Sequence, residues 1–94
     1  MSKRDKRLER VRRNPKNVSL DKLRLLLEDY GFQYQGTTGS HYTFSYTLGG
    51  ETKLFTVPFR RPVKRVYVEL ALKLIDRIIE EQGEDEPEES DDAE

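Results

Sequence analysis

Cysteine is absent from the 94-residue chain, and histidine occurs once, at position 41. The lack of cysteine excludes a disulfide framework and a thiolate nucleophile, and one histidine leaves few ligands for a zinc site. We therefore expect no metal and no other cofactor. No apolar run approaches the roughly 18 residues that span a bilayer, and no apolar signal segment follows the basic N-terminus. These features predict a soluble, cytoplasmic protein without a membrane partner.

Charge is unevenly distributed, although the formal net charge is only -1. Residues 1–79 contain all 17 Lys and Arg but eight acidic residues, which gives +9, whereas residues 80–94 contain ten acidic residues and no base. A basic body of this size indicates a polyanionic partner, above all nucleic acid, with which an acidic segment can compete. Three regions are predicted: a basic arm that is flexible or only marginally helical (1–13), a folded domain (14–82) and an acidic disordered tail (83–94).

Two amphipathic helices are predicted in the folded domain. Ser19 is the expected N-cap of the first, and Gly31 the residue that ends it. Between them, apolar side chains recur at spacings of three and four: Leu20, Leu23, Leu26, Leu27 and Tyr30. The second helix reaches Gln82, and its apolar positions are Tyr67, Leu70, Ala71, Leu74, Ile75, Ile78 and Ile79.

Three strands are predicted between these helices: a short one over 32–35 that ends at a turn over 36–39, one over 41–48, and one over 53–57 after a Gly49-Gly50 turn. Short turns favour an antiparallel meander. The expected fold is therefore α+β, in the order α-β-β-β-α, with both helices on the sheet face that carries Phe44 and Val57. The alternating aromatic residues of the middle strand are interpreted as core rather than as a base-stacking surface.

His41 is the candidate catalytic residue, because histidine is the side chain that ordinarily titrates near neutral pH. Period-two alternation places it on the face opposite Tyr42 and Phe44, so we do not expect it in the core. An exposed histidine without a role is the alternative. Ser40 is an unconvincing nucleophile, because adjacent strand side chains point to opposite faces. The acidic residues of the body are too scattered for paired-carboxylate chemistry.

A basic segment lies between the third strand and the second helix. Its cations are Arg60, Arg61, Lys64 and Arg65, with Phe59 and Tyr67 at its edges. Such cations can hold phosphates, and the rings can stack on unpaired bases. A solvated loop without a role is the alternative. The segment 36–39 is too short for a phosphate-binding loop and opens no helix.

Several motifs together resemble the HicA family of toxin proteins, over residues 19–79. They are Leu20-x-x-Leu23-x-x-x-Leu27-x-x-Tyr30-Gly31-Phe32, Gly39-Ser40-His41-x-x-Phe44, and Val57-Pro58 followed by a closing amphipathic helix. The resemblance implies a fold like that of double-stranded-RNA-binding domains and ribosome-independent cleavage of messenger RNA. It also implies a HicB-type antitoxin as protein partner and a catalytic histidine at position 41. Many relatives carry a second histidine where this chain has Arg60.

The expected activity is therefore metal-independent RNA cleavage by a single histidine, His41. Gly39 and Ser40 are expected to bind RNA together with the cations of the basic segment, namely Arg60, Arg61, Lys64 and Arg65. Two alternatives stay open: a non-catalytic RNA-binding module that uses the same basic surface, and an interaction domain whose partner is an acidic protein.

Overall fold

The computed structural model describes residues 2–85, which form three helices and one sheet. In chain order the elements are α1 (Lys3–Arg13), α2 (Leu20–Asp29), β1 (Gln33–Thr38), β2 (His41–Leu48), β3 (Glu51–Pro58) and α3 (Arg65–Asp85). The sheet is an antiparallel meander in the order β1-β2-β3. This confirms the predicted α+β class, with one helix more than expected. Of the predicted acidic tail, residues 83–85 belong to α3, and residues 86–94 lie outside the described residues.

Helix α2 begins and ends where its sequence predicts. The Ser19 hydroxyl accepts a hydrogen bond from the Lys22 backbone N–H at 3.2 Å, as an N-cap should. Gly31, just beyond the helix, has a φ of 91°, a backbone conformation that glycine adopts without strain. The apolar side chains at helical spacing are all buried: Leu20, Leu23, Leu26, Leu27 and Tyr30.

The sheet buries one face and leaves the other open. Phe44 of β2 and Val57 of β3 have no exposed surface, and they lie in one apolar cluster with side chains of the helices. The alternate residues of β2, among them His41 and Thr47, are exposed or only half-buried. The predicted assignment of the two faces is therefore correct, and the core lies between the sheet and the helices.

Strand β1 is longer than predicted. The expected turn over 36–39 is confined to Gly39 and Ser40, and Gly36 to Thr38 pair with β2. Pairing continues past Gly36 because the register shifts between Tyr34 and Gly36, which leaves Gln35 as an extra residue. Likewise β3 extends from Glu51 to Pro58, beyond the predicted 53–57.

The predicted flexible arm is a helix that packs on the domain. Leu8 and Val11 of α1 are only 7% and 4% exposed. Arg7 forms an ion pair with Asp29 of α2 at 3.1 Å, and Arg12 forms one with Asp76 of α3. This carboxylate raises the pKa of the Arg12 guanidinium. The two aliphatic residues suffice because they lie one helical turn apart and share one face.

Helix α3 buries a narrower stripe than predicted. Its fully or almost fully buried residues are Val68, Ala71, Ile75 and Ile78. Leu70 and Ile79, which we expected on the same stripe, are 43% and 37% exposed. The expected set was too wide because one packed face of a helix accommodates residues three and four apart, whereas a neighbour in sequence turns away.

Candidate nucleic-acid interface

His41 is the first residue of β2 and is exposed. It pairs with Thr38 at the end of β1 on one side and with Pro58 at the end of β3 on the other. Its side chain lies on the open face of the sheet, as the alternation predicts. The candidate base is therefore accessible to a ligand at the end of the sheet where all three paired residues lie.

Two backbone hydrogen bonds place the basic segment at this same end. The N–H of Phe59 donates to the carbonyl of Ser40 at 2.6 Å, which joins the segment to the β1–β2 turn. Further along, the N–H of Val63 donates at 2.9 Å to the carbonyl of Val18, just before α2. Val63 is 1% exposed and anchors the segment in the core. The residues between these anchors, including Arg60 and Arg61, are held over the start of α2.

An open cavity of about 670 Å³ lies between this segment and α2. Three arginines line it: Arg24 from α2, and Arg60 and Arg61 from the segment. Two aromatic rings, of Tyr42 and Phe59, also line the cavity, and their centroids lie 6.3 Å apart. The cavity thus combines guanidinium groups, which bind phosphate, with rings on which a base can stack.

The cations of this end differ in how far they are neutralised. The six ion pairs among the described residues involve Arg7, Arg12, Arg13, Arg24, Lys53 and Arg65. Arg60, Arg61 and Lys64 are not among them. Arg65, by contrast, is the first residue of α3, and its Nε lies 2.7 Å from Glu69 Oε2. Of the four predicted RNA-binding cations, three therefore remain without a carboxylate partner in the described part of the chain.

His41 and the arginine-lined cavity share one end of the sheet but not one face. Tyr42 lines the cavity and His41 does not. Adjacent strand residues point to opposite faces, so the imidazole lies on the open side and the phenol ring on the helix side. The structure therefore brings Arg60 and Arg61 together and leaves His41, with the exposed Gly39-Ser40 turn, at the end of the sheet beside them.

Two cavity residues were missed by reasoning from the sequence. Arg24 was not singled out in the sequence, and Tyr42 was assigned to the core, although it is only partly buried. The contact between the basic segment and α2 rests on the bond from Val63 to Val18, for which no local sequence signal exists. Tyr67, which we expected to flank the segment, packs against the core instead and does not line the cavity.

Within residues 2–85, no three side chains of His, Asp or Glu are grouped so that they could hold a metal ion. In the same part of the chain, none of the helices combines the length and the apolar character needed to cross a membrane.

Comparison with family models, curated proteins and solved structures finds no match to this chain. The resemblance to HicA toxins therefore stays a prediction that rests on the quoted motifs.

Proposed function

We propose that the protein is a metal-independent RNA endonuclease of the HicA type, which binds single-stranded RNA at the end of the sheet near the β1–β2 turn and cleaves it with His41. One observation carries the proposal. The only histidine of the chain is exposed at that end, where the hydrogen bond from Phe59 to Ser40 holds a cationic segment against the same turn.

The cavity is the part of the site that binds the RNA. Arg60 and Arg61 supply positive charge without a carboxylate partner among the described residues, and guanidinium groups form paired hydrogen bonds with phosphate oxygens. Phe59 is 38% exposed, so its ring is accessible to an unpaired base, and Arg61 already lies 5.3 Å from the ring centroid. An RNA strand bound there passes the β1–β2 turn and reaches His41 at the end of the sheet.

Cleavage follows as an internal transfer within the RNA. Neutral His41 removes the proton of a ribose 2′-hydroxyl, whose oxygen attacks the adjacent phosphorus. The bond from the 2′-oxygen to phosphorus forms, and the bond from phosphorus to the 5′-oxygen breaks. The products are a 2′,3′-cyclic phosphate and a 5′-hydroxyl. A nearby Arg or Lys stabilises the charge that builds on the phosphate oxygens.

The leaving 5′-oxygen needs a proton that His41 does not carry in the same step. Lys64 of the basic segment is exposed just before α3 and is one candidate donor. Water and a tyrosine are the others. The position at which relatives carry a second histidine is occupied by Arg60, and a guanidinium supplies positive charge rather than a proton.

Cleavage of messenger RNA would stop the growth of the host cell, so the proposal includes a HicB-like antitoxin as a protein partner. A small reading frame for such a protein beside this one would support the toxin assignment. Restored growth when both proteins are expressed together would test it directly.

The test is RNA cleavage by the full chain in the presence of EDTA, with the product ends identified. His41→Ala should reduce the rate by about 10²- to 10⁴-fold, the usual contribution of a general base. Its stability should change by no more than about 0.5 kcal/mol, because the side chain is exposed. Thr47→Ala, at an exposed position on the same face of the same strand, is the matched control and should leave the rate unchanged.

A second candidate function, a non-catalytic RNA-binding module, is favoured by the absence of His41 from the cavity lining. The same assay separates the two. A protein that binds RNA and leaves it intact, with equal affinity in wild type and His41→Ala, is a binding module. A rate that depends on added Mg²⁺, or products with 5′-phosphates, would contradict the proposed chemistry.

A further inference from the structure

We infer that helix α1 extends the RNA-binding surface, so that a single strand runs from the cavity beside the β1–β2 turn along a groove between α1 and α2. The inference rests on the proposed RNA binding and adds a second, longer part to the site. The α1 side of that part lies outside residues 19–79, the region that resembles HicA toxins.

The groove consists of three concave regions that share lining residues. The cavity of about 670 Å³ shares Asn17 with a neighbouring concavity of about 410 Å³ between α1 and α2. This concavity in turn shares Arg7 and Arg10 with a third, of about 260 Å³, at the N-terminal half of α1. The three regions are therefore neighbours on the side of the molecule that α1 and α2 form.

The groove is strongly cationic. Eight of its lining residues are Lys or Arg, against one acidic residue, Asp21. Arg7 and Arg24 have carboxylate partners. The other six form no ion pair among the described residues: Lys3, Lys6, Arg10, Lys22, Arg60 and Arg61. A row of unneutralised cations along a groove is the feature by which proteins follow a nucleic acid backbone.

The helical pattern of α1 separates its charges. Lys3, Lys6 and Arg10 recur at spacings of three and four and lie on the groove side. The two acidic residues of the helix, Asp5 and Glu9, line none of the three regions. Since Leu8 and Val11 fix the rotation of α1 by their burial, these three cations stay on the helix face that lines the third region.

The chemistry favours single-stranded RNA as the occupant. The rings of Phe59 and Tyr42 at one end of the groove offer stacking surfaces to unpaired bases, which a duplex does not provide. Apolar side chains within the groove, such as the half-exposed Leu25, can contact the faces of further bases. An acidic protein would satisfy the charges but has no need of stacking surfaces.

The test measures the binding of 2′-O-methylated oligouridines of about 4 and about 12 nucleotides, which cannot be cleaved by the proposed route. Lys6→Gln/Arg10→Gln removes two groove cations. Lys73→Gln/Arg77→Gln is the matched control, because it removes the same two residue types at the same spacing from exposed positions on α3. Both variants change the net charge equally.

We expect the α1 variant to bind the long oligonucleotide about 25-fold more weakly at 0.1 M salt, with a salt slope reduced by about 1.4, as follows from the loss of two phosphate contacts. Its affinity for the short oligonucleotide, which the cavity alone can hold, should change far less. The α3 control should bind both as wild type does.

Three results would overturn the inference. Equal weakening by the two variants would indicate a nonspecific effect of net charge. Unchanged binding of the long oligonucleotide by the α1 variant, while Arg60→Gln/Arg61→Gln still weakens it, would confine the site to the cavity and leave the proposed function intact. Wild type that binds polyglutamate but no RNA would reassign the groove to an acidic protein and refute the proposed function as well.

Discussion

The two hairpin turns of the sheet have the same length and opposite surroundings. Gly39-Ser40 joins β1 to β2, and Gly49-Gly50 joins β2 to β3, each with two residues. At the first turn, the carbonyl of Ser40 accepts a hydrogen bond from Phe59, which begins the cationic segment. At the second, the N–H of Gly49 donates to the Glu81 carboxylate of α3 at 2.6 Å.

The difference shows that the turn itself does not make a site. Both turns rely on glycine for a positive φ, 60° at Gly39 and 62° at Gly49. One end becomes a candidate RNA site because a segment rich in arginine packs there beside the only histidine. The other end carries mixed charges, with Arg77 and Lys53 close to Glu80 and Glu81, and so offers no net attraction for a polyanion.

The largest effect on stability is expected from Leu8→Ala, because Leu8 is buried where α1 packs on the domain. Removal of a buried leucine side chain costs about 2–5 kcal/mol in the free energy of unfolding. Leu25→Ala makes the same chemical change at a position that is 50% exposed, and it should cost much less. Urea denaturation of both variants is the measurement. Equal, small losses would show that α1 is a flexible arm and that its cations have no fixed place at either end of the sheet.

The second effect contrasts the two ends by charge. Arg60→Gln/Arg61→Gln should weaken RNA binding about 25-fold at 0.1 M salt and reduce the salt slope by about 1.4. Lys53→Gln/Arg77→Gln removes the same net charge at the opposite end and should leave affinity and slope near the wild-type values. Fluorescence anisotropy with a labelled single strand measures both. Equal affinities and equal salt slopes of the two variants would contradict the proposed difference between the two ends of the sheet.

The third effect compares the turns directly. An alanine at Gly39 or at Gly49 meets no heavy atom within 4 Å, so backbone strain is the main cost in both cases. That cost is about 1–2 kcal/mol for an L-residue in the left-handed region, and the two variants should lose similar stability. Only Gly39→Ala should weaken RNA binding, because its turn positions the Ser40 carbonyl that holds Phe59. Equal binding by both variants would show that the first turn has no special role.

The smallest effect is expected from deletion of residues 86–94. These residues carry six of the ten acidic charges at the C-terminus and could compete with RNA. However, the 21-residue α3 is about 31 Å long and leads away from the basic segment, and nine residues extend at most about 30 Å. Deletion should therefore tighten RNA binding only slightly, and only at low salt, with little change in melting temperature. Identical affinities at low salt would exclude competition by these residues.

The elements that the sequence predicted best are those whose signals are local. Ser19, the apolar spacing from Leu20 to Tyr30, and Gly31 define α2 without reference to the rest of the chain. The alternation in β2 likewise assigned Phe44 to the core and His41 to the open face. Each of these features depends on residues fewer than five positions apart.

The elements that the sequence did not predict depend on partners far away in the chain. Helix α1 contains only two aliphatic residues, Leu8 and Val11, and its packing is visible only when Arg7 meets Asp29 and Arg12 meets Asp76. The cavity has Arg24 of α2 and Arg61 in its lining, which depends on the hydrogen bond from the Val63 N–H to the Val18 carbonyl. For the same reason, the sequence could nominate Arg60 and Arg61 but could not indicate that they share a cavity from which His41 is absent.

The central claim, that one end of the sheet binds RNA, is tested most directly by following the backbone amide resonances of the full chain during titration with a 2′-O-methylated single strand. The largest shifts are predicted at Gly39, Ser40, His41 and Arg60, with Gly49 and Gly50 unmoved. Shifts centred on Gly49 and Gly50, or spread evenly over both ends, would contradict the claim.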